Sequence, residues 1–280
     1  MLICKTIAEM RSAAAALRDA GSVGLVTTMG ALHAGHMALV AAAQADHANV
    51  IATIFVNPTQ FGDPSDLEKY PRTEQADLAM LQAAGVAAVF MPDVDTMYPA
   101  GSETIVETTH LANILHGAVR PGHFRGVATI VTKLFNIIGA DAAYFGEKDY
   151  QQLAVIRRMA HDLSMPTTVH GVPTVREADG LAMSSRNVRL TPDDRAAAPV
   201  LHRALLAAEQ VIQAGGTIED ATDAIRAMIA DVPQATLVGL DVVDARTFTP
   251  VSGRATDTLG IMISAQFGDV LLIDQKEMTP

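Results

Sequence analysis

The sequence predicts an α/β fold over its first two-thirds and a smaller α+β domain after it, on three observations. Apolar runs of strand length alternate with alanine- and leucine-rich runs of helix length. The strand-like runs are continuously apolar rather than alternating, the signature of a parallel sheet covered on both faces. After about Val175 the order changes to helices followed by neighbouring short strands, which suggests antiparallel pairing. The boundary falls near residues 174–176, giving domains 1–174 and 175–280.

The first strong strand signal is VGLVTT at 23–28, followed by MALVAAAQADH, which reads as helix. NVIATIFV at 49–56 is the next strand. TEQADLAMLQAAG at 73–85 is a helix that stops at Gly85, a common C-terminal residue. VAAVFMP at 86–92 is a strand and FRGVATIVTKLFNIIG at 124–139 a long helix. DAAYFG at 141–146 leads into DYQQLAVIRRMAHDL at 149–163, with Asp149 where an N-cap belongs. TTVHGV at 167–172 closes the series. Cys4 sits in a short N-terminal stretch that reads as strand. In the second domain, residues 191–216 read as one long helix, with Pro192 in its first turn and Gly215-Gly216 at its end. IEDATDAIRAMIAD is a second helix. LVGLDVVDARTF, LGIMISAQF and DVLLIDQ are the strands.

The bulk numbers bound the function. At 280 residues and 49% hydrophobic content the chain can bury one large core or two ordinary ones. A net charge of −11 argues against a nonspecific nucleic-acid binder, though it leaves room for a local basic pocket. The single cysteine permits no intrachain disulfide and fits a reducing compartment. No apolar run approaches a membrane span and no signal-peptide pattern opens the chain, so a soluble cytoplasmic protein is expected.

The residues that carry chemistry sit where strands end. TTMGALHAGH places His33 and His36 between a strand and a helix, where backbone N–H groups and the helix dipole attract anions. Gly30 permits a tight turn and Gly35 close approach of a ligand. The alternative is a chance pair with one packed histidine. FVNPTQF at 55–61 offers Asn57 and Gln60 to a small polar substrate at the next strand end; Asn57-Pro58 is equally ordinary turn chemistry. In FGEKDYQQ at 145–152, Gly146 admits close backbone approach and Lys148 can grip a phosphate, or Glu147 and Lys148 are simply solvated. Gln152 lies one helical turn past Asp149. In ADGLAMSSRN at 178–187, Ser184, Ser185 and Arg186 form a row of donors suited to phosphate oxygens, or an ordinary polar loop. RPGHFRG at 120–126 reads as a loop, with His123 and Arg125 either reaching a site or decorating the surface. The sequence holds no Walker phosphate loop, no G-x-G-x-x-G fingerprint and no H-E-x-x-H or cysteine–histidine metal spacing.

TMGALHAGH, IFVNPTQF, YPRT, RPGHFRGV, FGEKDYQQL and VREADGLAMSSRN, in this order, closely resemble the pantothenate synthetase (pantoate–β-alanine ligase) family over essentially the whole chain. The resemblance implies a Rossmann-like nucleotidylyltransferase domain with a small C-terminal lid. It implies that ATP and pantoate form pantoyl adenylate and pyrophosphate, and that β-alanine then yields pantothenate and AMP. It also implies Mg²⁺ with ATP and a homodimer. Met29, Gly30, Ala31, Leu32, His33, Ala34, Gly35 and His36 match the family's ATP-binding turn, and His36 its proton-donating histidine. Gly146, Glu147, Lys148, Asp149, Val175, Met183, Ser184, Ser185 and Arg186 match its nucleotide-binding segments. Gln60 and Gln152 match its pantoate-binding glutamines, with Asn57 beside them. His36, His33 and Lys148 are the residues expected to act on the phosphates. Two positions and one stretch depart from the family. Thr27 stands where proline is usual, and Ala34 replaces a larger residue. The acidic stretch after YPRT, linked in some relatives with a metal, retains only Glu74 and Asp77. Mg²⁺ is therefore expected to arrive with ATP, held by phosphates, with no protein-borne metal site. One competing reading is an adenylyltransferase of the same superfamily acting on another acid or on a nucleotide; the FVNPTQF and FGEKDYQQ blocks argue against it. Another is a binding or regulatory protein that has lost catalysis; intact His33, His36, Lys148 and Ser184 to Asn187 argue against it. A synthetase acting on tRNA is a poor fit at 280 residues and a net charge of −11.

Overall fold

The computed structural model describes residues 1–62 and 64–280 and divides the chain into two compact units: 1–146 with 151–173, and 147–150 with 174–280.

The first unit is built on a six-stranded parallel sheet in the order β1-β4-β3-β2-β5-β6. β1 (Leu2–Cys4) leads into α1 (Ile7–Ala20), whose start is held by a Thr6–Glu9 capping box. The sequence expectations had not separated this helix from the N-terminal stretch. β2 (Val23–Thr28), α2 (Ala34–Asp46) and β3 (Asn49–Ile54) follow. The short helices α3 (Pro64–Glu68) and α5 (Val94–Met97) flank α4 (Glu74–Ala83) and β4 (Ala88–Phe90). α6 (His116–Val119) precedes α7 (His123–Ile138), β5 (Ala142–Gly146), α8 (Tyr150–Asp162) and β6 (Thr168–Val172).

Alternate strand residues enter different cores, which is why the strands are apolar without a break. Leu25, Ile51, Phe90 and Ala143 pack with residues of α1, α7 and α8. Val26, Ala52, Val89 and Tyr144 pack with Leu39, Val40 and Leu81 of α2 and α4. A strand buried on both faces leaves few positions for polar side chains, so period-2 alternation disappears.

The order of the strands fixes where a ligand can sit. From β2 the chain steps outward to β3 and β4, then returns to place β5 on the other side of β2. The carboxyl ends of β2 and β5 flank this reversal, the position at which open α/β sheets commonly bind ligands. Thr27, the departure from the family's proline, remains in the ladder opposite Thr53, and β2 continues to Thr28.

The second unit is a β7-β8-β9 antiparallel meander covered by helices. The stretch 191–216 is not one helix, as expected, but two: α9 (Pro192–Ala197) and α10 (Val200–Gln213). Pro199 lies at the junction. Its ring fixes φ and it has no N–H to bond the preceding turn, so the first helix ends and a new one begins. α11 (Ile218–Ala230), β7 (Ala235–Asp244), β8 (Leu259–Phe267) and β9 (Val270–Met278) complete the unit. Leu201, Leu205, Ile212, Ile225 and Ile229 pack on Ile261, Ile263 and Phe267. A bidentate ion pair from Arg176 to the buried Asp274, at 2.7 and 3.0 Å, ties the start of this unit to β9.

α7 starts earlier than expected. Residues 120–126 are not a loop: Pro121-Gly122 turn, and His123 is already helical. Gly126, in the second turn of α7, lies against the main chain after β3. A Cβ there would stand 2.5 Å from the Thr59 carbonyl oxygen and 2.7 Å from the Gln60 nitrogen. Alanine normally favours a helix over glycine by about 1 kcal/mol. Here the overlap with rigid backbone outweighs it. Gly126→Ala is expected to destabilise the protein by about 1–3 kcal/mol in chemical denaturation. A stabilised variant would show that residues 59–60 yield at little cost.

Candidate active site

The turn after β2 is built from left-handed residues and a carboxylate. Gly30 has φ 84° and Ala31 φ 50°. The turn exposes three successive N–H groups that no strand or helix can satisfy. Thr28 Oγ1 accepts from Gly30 at 3.1 Å, Asp77 Oδ2 accepts from Ala31 at 3.0 Å, and Asp77 Oδ1 from Leu32 at 2.8 Å. Asp77 is 2% exposed and lies in the first turn of α4, where the helix dipole favours its charge. Thr73 Oγ1 donates to it at 3.1 Å. The acidic residue that the sequence set beside a possible metal thus spends both oxygens on the turn.

α2 then begins with a reciprocal cap in which both side chains are imidazoles. His33 is the N-cap, and its Nδ1 accepts the Gly35 N–H at 3.1 Å. The His33 N–H donates to His36 Nδ1 at 3.3 Å. The two rings lie 4.1 Å apart between centroids. This is the capping box with histidine in both places. It also sets the tautomer: Nδ1 of each ring accepts, so each neutral ring carries its proton on Nε2. Both rings are half-buried, and Ala34 between them is exposed.

The strand end after β3 comes to the same turn. Pro58–Gln60 form a single 3-10 turn, and Gln60 Nε2 donates to Met29 Sδ at 3.1 Å. Asn57 is 1% exposed and has no hydrogen-bonding capacity left. Its amide donates to Gln60 Oε1 at 3.0 Å and to the Gly126 carbonyl at 3.2 Å. Its Oδ1 accepts from Thr59 Oγ1 at 3.0 Å and from the Tyr98 hydroxyl at 2.8 Å. Asn57, expected among the substrate ligands, is an internal brace for Gln60. His123, left open by the sequence, has Nδ1 2.7 Å from the Gln60 carbonyl, to which it donates. Arg125 is exposed.

The two adjacent glutamines of α8 divide in the same way. Gln151 is 3% exposed, donates to the Leu111 and Ile114 carbonyls and accepts from His116 N–H. Gln152 is half-buried. Gly146 ends β5 at the carboxyl edge.

In the second unit, Glu147, Lys148 and Asp149 are half-buried in the turn before α8. Met183 N–H donates to the Val175 carbonyl at 3.0 Å, so two of the expected nucleotide segments are paired strands of one loop. Ser184 caps a 3-10 turn, accepting from Arg186 N–H at 3.2 Å. Asn187 holds the loop closed by donating to Glu177 Oε1 and the Ala182 carbonyl, both at 3.1 Å. Arg195 braces it from α9 through Glu177 and Asp179.

The chain is similar to known proteins over nearly its whole length. The family model for pantoate-beta-alanine ligase matches residues 2–277. The chain is 49% identical to the pantothenate synthetase of Agrobacterium fabrum, over 99% of this chain and 95% of that one. It superposes on the crystal structure of pantothenate synthetase from Thermus thermophilus with a TM-score of 0.95, at 47% identity and full coverage of both chains. The pantoate-beta-alanine ligase of Francisella tularensis, complexed with beta-gamma ATP and beta-alanine, matches with a TM-score of 0.82 at 34% identity, over 99% of this chain and 97% of that one.

The carboxylate clamp is testable by itself. Asp77→Asn leaves one acceptor for two main-chain N–H groups and turns an amide NH₂ toward the other. Asp77→Asn is expected to lose about 1–3 kcal/mol in urea denaturation, the cost of one orphaned buried donor. Asp77→Ala, which orphans both, should lose more. Unchanged midpoints in both variants would mean that the turn holds its shape without the carboxylate.

Proposed function

The chain belongs to the pantoate–β-alanine ligase family, and from that premise we propose that it condenses (R)-pantoate with β-alanine to pantothenate, at the expense of ATP, through pantoyl adenylate. The observation that carries the reading is the double-imidazole cap at the carboxyl end of β2.

A pantoate carboxylate oxygen attacks the α-phosphorus of ATP, and the bond to the departing pyrophosphate breaks. The amine of β-alanine then attacks the acyl carbon, AMP leaves with the bonding pair, and the amine gives up a proton. The first step brings an anion against a polyanion, so it needs in-line positioning and donors at the α-phosphate. His33 and His36 would supply these donors through Nε2–H, a role supported by Nδ1 of each ring being committed to the backbone. The N-terminus of α2 adds its dipole and N–H groups. Met29 to Leu32 would lie along the nucleotide, with Gly30 and Gly35 keeping side chains out of its path. Gln60 would bind pantoate by its NH₂, a polarity supported by Asn57 occupying its oxygen. Gln152 would be the second pantoate ligand. Lys148, with Gly146, Glu147 and Asp149, and Val175 with Met183 to Arg186 would hold the nucleotide, the basic groups on its phosphates.

Mg²⁺ would enter with ATP. Among the described residues no three His, Cys, Asp or Glu side chains gather as ligands, and Asp77 is spent on the turn. The phosphates themselves would hold the ion. A homodimer and a cytoplasmic location complete the proposal. The first rests on the family resemblance. The second is supported by the lone cysteine and by the absence, among the described residues, of any helix long and apolar enough to cross a membrane.

The test is pantoate-dependent exchange of labelled pyrophosphate into ATP, with Mg²⁺ and without β-alanine. Exchange is expected only with pantoate, and pantothenate only after β-alanine is added. His36→Ala should slow exchange by about 10²–10³-fold, the usual effect of removing a donor to transition-state charge, while pantoate binding changes little. Folded, ATP-binding protein that gives no pantoate-dependent exchange would sink the proposal.

A further inference from the structure

We propose that Tyr98 is a positioning residue for the acid-binding amide of Gln60, acting through Asn57. The proposal deepens the reading above and rests on it for the identity of the acid.

An amide side chain is nearly symmetric in shape, and what it offers a ligand depends on which end faces out. At Gln60 the choice is made by a chain of polarity. The Gly126 carbonyl can only accept, so it draws the Asn57 NH₂ to its side at 3.2 Å. The second hydrogen of that NH₂ goes to Gln60 Oε1 at 3.0 Å, which turns Gln60 Nε2 the other way, toward Met29. Asn57 Oδ1 is thereby left facing inward, at a residue that is 1% exposed. It needs donors there, and the Tyr98 hydroxyl is the closer of its two at 2.8 Å; Thr59 Oγ1 is at 3.0 Å and lies 3.3 Å from the same hydroxyl. Three backbone segments therefore converge on one amide: the end of α5, the turn after β3 and the second turn of α7.

The tyrosine is itself held in place. Its ring lies 6.3 Å from Phe55 between centroids, and Lys133 of α7 sits over it with Nζ 5.4 Å from the centroid. Burial pushes the phenol above its ordinary pKa, which keeps it a donor. The hydroxyl bonds Asn57 and lies beside Thr59, and its link to Gln60 runs through Asn57. Its contribution is orientation, not contact.

Tyr98→Phe keeps the ring and removes the donor. In the exchange assay the pantoate KM is expected to rise about 3- to 10-fold, one hydrogen bond's worth, with the ATP KM within about twofold of wild type. A general packing defect would move both or neither. In a Gln60→Ala background the same change should have no further effect on the pantoate KM, since the group being oriented is gone. An unchanged pantoate KM in the otherwise wild-type protein, or an equal rise in the Gln60→Ala background, overturns the proposal. A second readout needs no substrate. The ¹⁵N side-chain amide signals of Asn57 and Gln60 should shift in Tyr98→Phe while that of Gln151 stays in place. Unmoved Asn57 and Gln60 signals overturn the proposal even if the wild-type protein proves to use another acid, an outcome that would refute only the assignment of pantoate.

Discussion

The site depends on one carboxylate holding two main-chain N–H groups. Asp77 is the reason that the chain after β2 can turn through two consecutive left-handed residues and still start a helix at once. Ala31 carries a side chain at positive φ, a strain of order 1–2 kcal/mol. Hydrogen bonds to an ionised group contribute about 1.5–3 kcal/mol each, so the pair offsets that strain. The histidines ride on this turn. His33 is a cap only because the turn delivers it to the first residue of α2, and the His36 ring is fixed only because His33 precedes it by three.

The sheet explains why the turn matters where it does. β2 is interior, and the chain reverses its direction of travel across the sheet beside it. An interior strand cannot slide without breaking two ladders, so Thr28 is a rigid origin for the turn. Thr28 and Thr53 reinforce that origin through two hydrogen bonds at 2.7 and 3.3 Å. The histidine turn is therefore set by the sheet below, by α4 beside it and by its own caps. This is the positional control that the proposed attack of a carboxylate on a phosphate would need.

Much of this was legible in the sequence, and the part that was not has a common physical cause. The doubly buried strands were readable because burial on both faces leaves an uninterrupted apolar run, and β2 and β8 begin and end where the pattern placed them. The strand–turn–helix setting of the two histidines was readable because glycine and the change of period mark it locally. Pro199 is a local signal too, but its effect was outweighed by the alanine- and leucine-rich pattern on both sides of it. Asp77, Tyr98 and His123 left no local signal of their role. Each acts on a segment more than 35 residues away in sequence, through a contact that exists only once the sheet has formed.

The same cause separates two kinds of residue within a single motif. In FVNPTQF, Asn57 is saturated by four protein partners, whereas Gln60 has its oxygen tied back and its NH₂ turned toward the histidine turn. In the YQQ run, Gln151 is consumed by the segment 111–116 and Gln152 stays half-buried. A buried amide must satisfy two donors and two acceptor sites, and one that has done so with protein atoms has nothing left for a ligand. The polar residues that a motif displays together thus divide into those saturated by protein atoms and those that keep capacity for a ligand. Hydrogen-bond bookkeeping in the folded chain draws that line, because a residue's remaining capacity is a property of its neighbours rather than of its type.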